Sequence, residues 1–368
     1  MSNKRSSCSP GTAPAIRPPS ISSTTTTPAS PIKWRPKFIS NVEIRDTALS
    51  PDDARLAIAR VYDFPDWPAL AAYVDAVAQD GPVCEFESAV QAVVDGDLAV
   101  LADALRRDPA LVHGRSSRVC SFNPPVHRAT LLHYVAANGV ERYRQTTPAN
   151  AVAIARALLE TGSEPDALAD MYGAECTTMS MLVSSDHPAR AGLQVPLVEL
   201  LLEFGAAIEG AGTKKWGGPL STALAFGMSD AAKVLAHRGA RIDLPAAAGL
   251  GFADDAARLL PSANADARHR ALSLAAQHGH PEIVRLLLNA GEDPNRYNPE
   301  GNHPHSTPLH QAVLGGHEAV VRLLVERGAR LDLRDTVWHG TPLGWARHGG
   351  RKKQAEMVAC LRSLGAVE

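Results

Sequence analysis

The sequence predicts an all-α fold in which short helix-turn-helix units stack into a row. Three observations predict it. A helix-opening motif recurs, Thr307-Pro308-Leu309-His310-Gln311-Ala312 and Thr341-Pro342-Leu343-Gly344-Trp345-Ala346, 34 residues apart. Six apolar stretches of helical spacing end in glycine, at Gly162, Gly205, Gly239, Gly291, Gly328 and Gly365. Hydrophobic residues make up 45% of the chain but aromatics only 5%, so alanine and leucine must do the packing, which suits closely stacked helices.

Residues 1–40 are rich in Ser, Thr and Pro, including Ser22-Ser23-Thr24-Thr25-Thr26-Thr27-Pro28. Such a segment buries too little apolar surface to offset its ordering entropy, and a disordered tail is expected. It carries Lys4, Arg5, Arg17, Lys33, Arg35 and Lys37 and no acid, while the remainder has 31 basic and 39 acidic residues. A mildly acidic body argues against nucleic acid as the partner.

A helical capping hairpin is expected over 41–82. Ser50-Pro51-Asp52-Asp53 reads as a helix start: a capping hydroxyl, proline at the first helical position, then acids at the positive end of the dipole. Pro65 breaks this helix. A second begins near Asp66 and runs through Leu70, Tyr73 and Val77 to Gly81, taken as its C-terminal glycine. The array itself is expected over 83–368, in about eight units whose last copies are the clearest. The earliest pair is Phe86–Val94 with Leu98–Arg106, split by Asp95-Gly96. Ala129–Gly139, Thr177–Leu182 and Pro219–Phe226 open weaker copies, and Leu244–Gly251 with Asp254–Leu260 forms a shortened one.

One unit shows the physics. Thr307 caps a helix that starts at Pro308 and ends at Gly315-Gly316. The next helix carries Val320, Val321, Leu323, Leu324 and Val325, a stripe too wide for one neighbour to cover. Gly328 lets the chain turn back through a left-handed conformation. No unit can bury its apolar faces alone, so adjacent units must complete one another.

At these residues the chain resembles the ankyrin-repeat family. The TPLHQA and TPLGWA stretches are similar to its helix-opening motif, and Gly315–Asp332 is similar to its second helix and exit. The resemblance implies an ankyrin-repeat solenoid with short β-hairpin-like loops. It also implies that Thr307, Pro308, Leu309, His310, Thr341, Pro342, Leu343 and Gly328 are structural, with His310 a hydrogen-bonding residue of the motif and His133 its counterpart. Tyr62–Leu70 and Ala167–Ala206 resemble bacterial ankyrin-repeat proteins in particular. In such arrays the hairpin loops and first helices line the surface that binds partners.

Four loops place an aromatic just before a helix opening: Tyr172, Trp216, Tyr297 and Trp338. Exposed Trp and Tyr provide contact area at low entropy cost. The competing reading is that each ring folds onto its neighbouring loop. The longest loop, 293–306, adds Asn298, His303 and His305, and His339 follows Trp338. These eight residues are the candidate partner contacts.

No catalytic pattern survives inspection. His317-Glu318 lacks the second His of a zinc-protease helix, Gly249-Leu250-Gly251 lacks the third glycine of a dinucleotide loop, and Gly210–Lys215 lacks P-loop spacing. His303, His305 and His310 lack the further local ligand that a tetrahedral metal site needs. Asp332 and Asp335 read as turn-formers. The five cysteines, Cys8, Cys84, Cys120, Cys176 and Cys360, are widely spaced without a CxxC, which favours a reducing compartment. There is no apolar run long enough for a membrane span and no signal-peptide core.

The expectation is therefore a cytoplasmic, monomeric, non-catalytic scaffold or regulator that binds a protein partner, with no cofactor, metal, nucleic acid or membrane. Two alternatives stay open at this point: an enzyme with its site in the divergent units 108–220, and a secreted effector that binds host proteins.

Overall fold

A computed structural model describes residues 50–139, 141–212, 217–348 and 354–367. The expected tail (1–40), the start of the capping hairpin, Trp216 and Gly349-Gly350 lie outside the described residues. The chain divides into two compact units, the first ending at Ala206 but including Ala211–Thr213, the second holding Ala207–Gly210 and the remainder.

The first unit opens with α1 (Pro51–Val61) and α2 (Trp67–Ala78). Ser50 and Asp53 form a reciprocal capping box on α1, and Asp66 caps α2 by accepting from the Ala69 amide at 2.9 Å. Ala59, Phe64 and Leu70 form a small core in the corner of this hairpin. Gly81 differs from expectation: α2 ends at Ala78, and Gly81 instead precedes α3 (Pro82–Asp95) as its N-cap. The proline at the first position of α3 dictates this, because it starts a new helix at once.

Next come α4 (Leu98–Arg107), α5 (Leu131–Val135), α6 (Ala151–Glu160), α7 (Thr178–Leu182), α8 (Asp186–Arg190) and α9 (Gln194–Glu203). First helices α3, α5 and α7 stack in sequence, as do second helices α4, α6 and α9. A two-stranded antiparallel hairpin, β1 (Ala169–Met171) and β2 (Ala174–Cys176), projects before α7. Its turn is Tyr172-Gly173, both at positive φ (55° and 71°), the geometry of a tight hairpin turn.

The second unit contains α10 (Pro219–Ala225), α11 (Ser229–His237), α12 (Leu244–Leu250), α13 (Ala253–Leu259), α14 (Ala265–His278), α15 (Pro281–Asn289), α16 (Pro308–Gly315), α17 (Glu318–Glu326), α18 (Pro342–His348) and α19 (Gln354–Ser363). Here α12, α14, α16 and α18 stack as one layer and α13, α15, α17 and α19 as the other. One core runs through both layers. Leu272, Ile283, Leu287, Leu309, Leu324 and Leu361 fill it, with Ala247, Ala275 and Ala312 fully buried where first helices approach. Each fully buried Leu or Ile contributes about 1.5–3 kcal/mol relative to exposure, so most of the stability comes from neighbouring pairs.

The six glycines that close second helices have φ between 87° and 108°. The threonine–histidine openings are built alike in both units. The Thr307 hydroxyl lies 2.8 Å from His310 Nδ1, and the His310 Nε2 lies 3.2 Å from the Gly340 carbonyl of the next loop. Thr130, His133 and the Cys176 carbonyl repeat the arrangement at 2.9 and 3.1 Å. Nδ1 accepts while Nε2–H donates, so each ring must stay neutral to join cap and next unit.

Candidate functional site

Ionisable groups do converge in the divergent part of the first unit. The loop 114–128, closed by a Val119–Val126 bridge, drives Arg118 into the interior. Its guanidinium sits 4.1 Å over the Phe64 ring, donates to the Tyr62 carbonyl and pairs with Glu141 at 2.9 Å. Arg144 donates to both Glu141 and Glu87 at 2.8 Å. The Tyr73 hydroxyl donates to Glu87 at 2.7 Å and the Tyr134 hydroxyl to Glu141 at 2.6 Å.

Buried charges survive only when paired and hydrogen-bonded, and two guanidiniums meet two carboxylates here. His127 joins the cluster: its Nδ1 accepts from the Ala129 amide at 3.1 Å and its Nε2 faces Glu141 at 2.9 Å. Burial works to raise the Glu141 pKa, but Arg118, Arg144 and His127 outweigh it and hold the carboxyl well below the usual range. Burial also pushes the Tyr143 hydroxyl up to about 12.

The space beside this cluster, bounded by His127, His133, Tyr134, Asn138, Arg144 and Met171, is about 10 Å³. That is room for a single water, not for a substrate. The cluster instead ties together the α1–α2 hairpin through Phe64 and Tyr73, helix α3 through Glu87, the loop 114–128, helix α5 through Tyr134 and the segment Glu141–Arg144. Asp63 adds a further tie, accepting from the Arg142 amide and side chain at 2.9 Å. Sequence reasoning missed this network. The available signals were an acid, Glu87, inside an apolar helix and the charged aromatic run Glu141–Arg144.

The candidate contact residues fall into distinct environments. Tyr172 is 37% exposed, but its hydroxyl donates to the Gly139 carbonyl at 2.7 Å, and its ring meets the exposed Phe122 at 6.4 Å. Tyr297 is half-buried and donates to the Arg334 carbonyl of the next loop at 2.6 Å. Asn298 corrects the expectation of an accessible contact. It is 3% exposed, accepts from the Ser273 hydroxyl at 2.7 Å and donates to Ser306 at 3.3 Å, so it closes its own loop. An asparagine at a loop tip and one that folds inward look alike in sequence.

His303 sits at φ 55° with Nε2 2.7 Å from the Ala225 carbonyl. His305 lies between rings, 5.1 Å from Trp338 and 5.9 Å from Trp345. His339 is exposed, and its carbonyl accepts from Arg334 at 2.8 Å. Among the described residues no group of three or more His, Cys, Asp or Glu is placed to hold a metal ion, and no helix is long and apolar enough to cross a membrane.

Trp338 is 56% exposed, and Val337 beside it is exposed too. The loop beneath is rigid because of Asp335. One carboxylate oxygen accepts from the Val337 and Trp338 amides at 2.9 and 2.6 Å, and the other from the Gly340 amide and Trp345 Nε1 at 2.8 and 2.9 Å. Burial opposes ionisation of Asp335, but these donors outweigh it and hold the pKa below the ordinary value. Asp335→Ala orphans all four donors. It is expected to cost about 3 kcal/mol in urea denaturation, and a loss under about 1 kcal/mol would show that the loop keeps its shape without the carboxylate.

The model of a repeat family described as ankyrin repeats (3 copies) matches residues 244–335, which span the best-formed pairs of the second unit. The chain carries ankyrin repeats. A putative ankyrin repeat protein of Rickettsia bellii is 35% identical over 101 residues, 26% of this chain and 40% of that protein. The mouse ankyrin repeat and SAM domain-containing protein 6 is 33% identical over 115 residues, 31% of this chain and 12% of its own length. The mouse inactive serine/threonine-protein kinase TEX14 is 34% identical over 88 residues, 24% and 6% of the two chains. This chain thus matches 40% or less of the length of each of these relatives. Ankyrin repeats are general protein-interaction modules, and the likeness extends no further than that class of function.

Proposed function

We propose that this ankyrin-repeat chain is a non-catalytic scaffold or regulator that binds a protein partner along its hairpin-loop edge and inner helices. The rigid, exposed Trp338 at the tip of an Asp335-organised loop carries the reading. A large aromatic held in place loses little entropy on binding and forms an anchor. Val337, His339 and His305 surround it in the second unit, and Tyr172 with Phe122 forms a smaller exposed pair in the first. In this reading α1 and α2 cap the first unit. The cysteines are widely spaced with no CxxC, which supports a cytoplasmic location.

Affinity capture from the source cell tests the reading. Proteins enriched on the wild-type chain are expected to fall at least about tenfold on a Trp338→Ala, Trp216→Ala double variant, the loss of a hot-spot anchor being worth about 2 kcal/mol or more. An unchanged set of captured proteins would remove the loop aromatics from the contact surface.

A further inference from the structure

Helix α2 is more apolar than its packing requires. Its twelve residues carry one charge, Asp75. Leu70 and Tyr73 face the hairpin core, yet Trp67, Ala71, Val74 and Ala78 form a second stripe at i, i+4, i+7 and i+11. Trp67 is 39% and Val74 46% exposed, and no described element covers either. The surroundings are acidic. Between Ser50 and Leu105 the chain has eleven acids and two arginines, and Asp66, Asp75, Asp80 and Glu85 are exposed on or beside α2.

We propose that this stripe is a docking site for the chain's own segment Ile32-Lys33-Trp34-Arg35-Pro36-Lys37-Phe38-Ile39, which lies outside the described residues. Its chemistry is the complement of the stripe: three cations and no acid, interleaved with Ile32, Trp34, Phe38 and Ile39. The eleven residues Ser40–Ser50 can span up to about 36 Å, twice the roughly 18 Å length of α2. A tether that short holds the segment near the stripe at about millimolar effective concentration. A second copy of the chain fits less well, because two acid-flanked stripes facing each other repel.

The test replaces Val74 by a photoreactive benzoylphenylalanine in the full chain. Irradiation is expected to give crosslinks to Ile32–Ile39 of the same chain, with a yield independent of protein concentration. The yield is expected to fall at least fivefold in a Lys33→Glu, Arg35→Glu, Lys37→Glu variant whose circular dichroism is unchanged. Crosslinks that grow with concentration and join two chains, crosslinks only elsewhere, or a yield indifferent to the charge reversal would each overturn the proposal. A labelled peptide of residues 31–40 supplies a second measurement. It is expected to bind the charge-reversed chain at least tenfold more tightly than the wild type, where the tethered segment competes; equal affinities would overturn it as well.

Discussion

Glu141→Gln is expected to destabilise the first unit by about 3–5 kcal/mol, the usual cost of breaking a buried ion pair by removing one partner. The carboxylate lies between two guanidiniums and also accepts from Tyr134 and, in the geometry seen, His127. Without its charge, Arg118 and Arg144 face each other across an interior with only Glu87 left to balance them. Urea denaturation measures the loss. Hydrogen exchange then locates it, because Arg118 stacks on Phe64 and bonds to Tyr62, so amides of α1 and α2 should exchange faster than those of α9. A double variant, Glu141→Gln with Arg118→Met, removes the unbalanced charge and is expected to recover part of the stability. If the single change costs under about 1 kcal/mol, the network is incidental to the stability of the unit.

Acidification toward pH 5 is expected to loosen both units. Burial lowers the pKa of His133 and of His310 from the ordinary 6.5 to about 4, outweighing the hydrogen bonds to the Cys176 and Gly340 carbonyls that favour the charged ring. His278 shifts the same way for the same reason. The folded chain therefore binds fewer protons than the unfolded chain between pH 6.5 and 4. The stability contributed by each ring is complete above the unfolded pKa and is lost as pH falls toward the folded one. At pH 5 relative to pH 8 the loss is about 2 kcal/mol for each of the His133 and His310 rings. Glu141, held well below the usual carboxylate range, adds its own loss only as pH falls below about 5, where the unfolded carboxylate begins to take up its proton. Urea midpoints at pH 8 and 5 check the slope, and a midpoint that does not move between them would contradict the neutral-bridge geometry.

How much of this was legible beforehand depended on the range of the interaction. The second unit could be read because its signals are local. Thr307-Pro308 starts a helix, Gly328 ends a unit, and Val320, Val321 and Leu324 mark a buried face wherever they occur. The loop of Asp335 was half legible: an aspartate followed by Gly340 suggests a turn, but nothing local says that Trp345 Nε1 completes the cap or that Trp338 stays outside while Tyr297 folds back.

The sequence by itself determined the helical periodicity, the turn points and the need for neighbouring pairs to finish each other's cores, because these follow from backbone preference and apolar spacing within about forty residues. Only the tertiary structure decided which charges are interior. Arg118 lies 56 residues from the Tyr62 carbonyl it meets, and Arg144 lies 57 from Glu87. Whether a charge at such a distance finds its partner is a matter of chain path, and no local propensity encodes it.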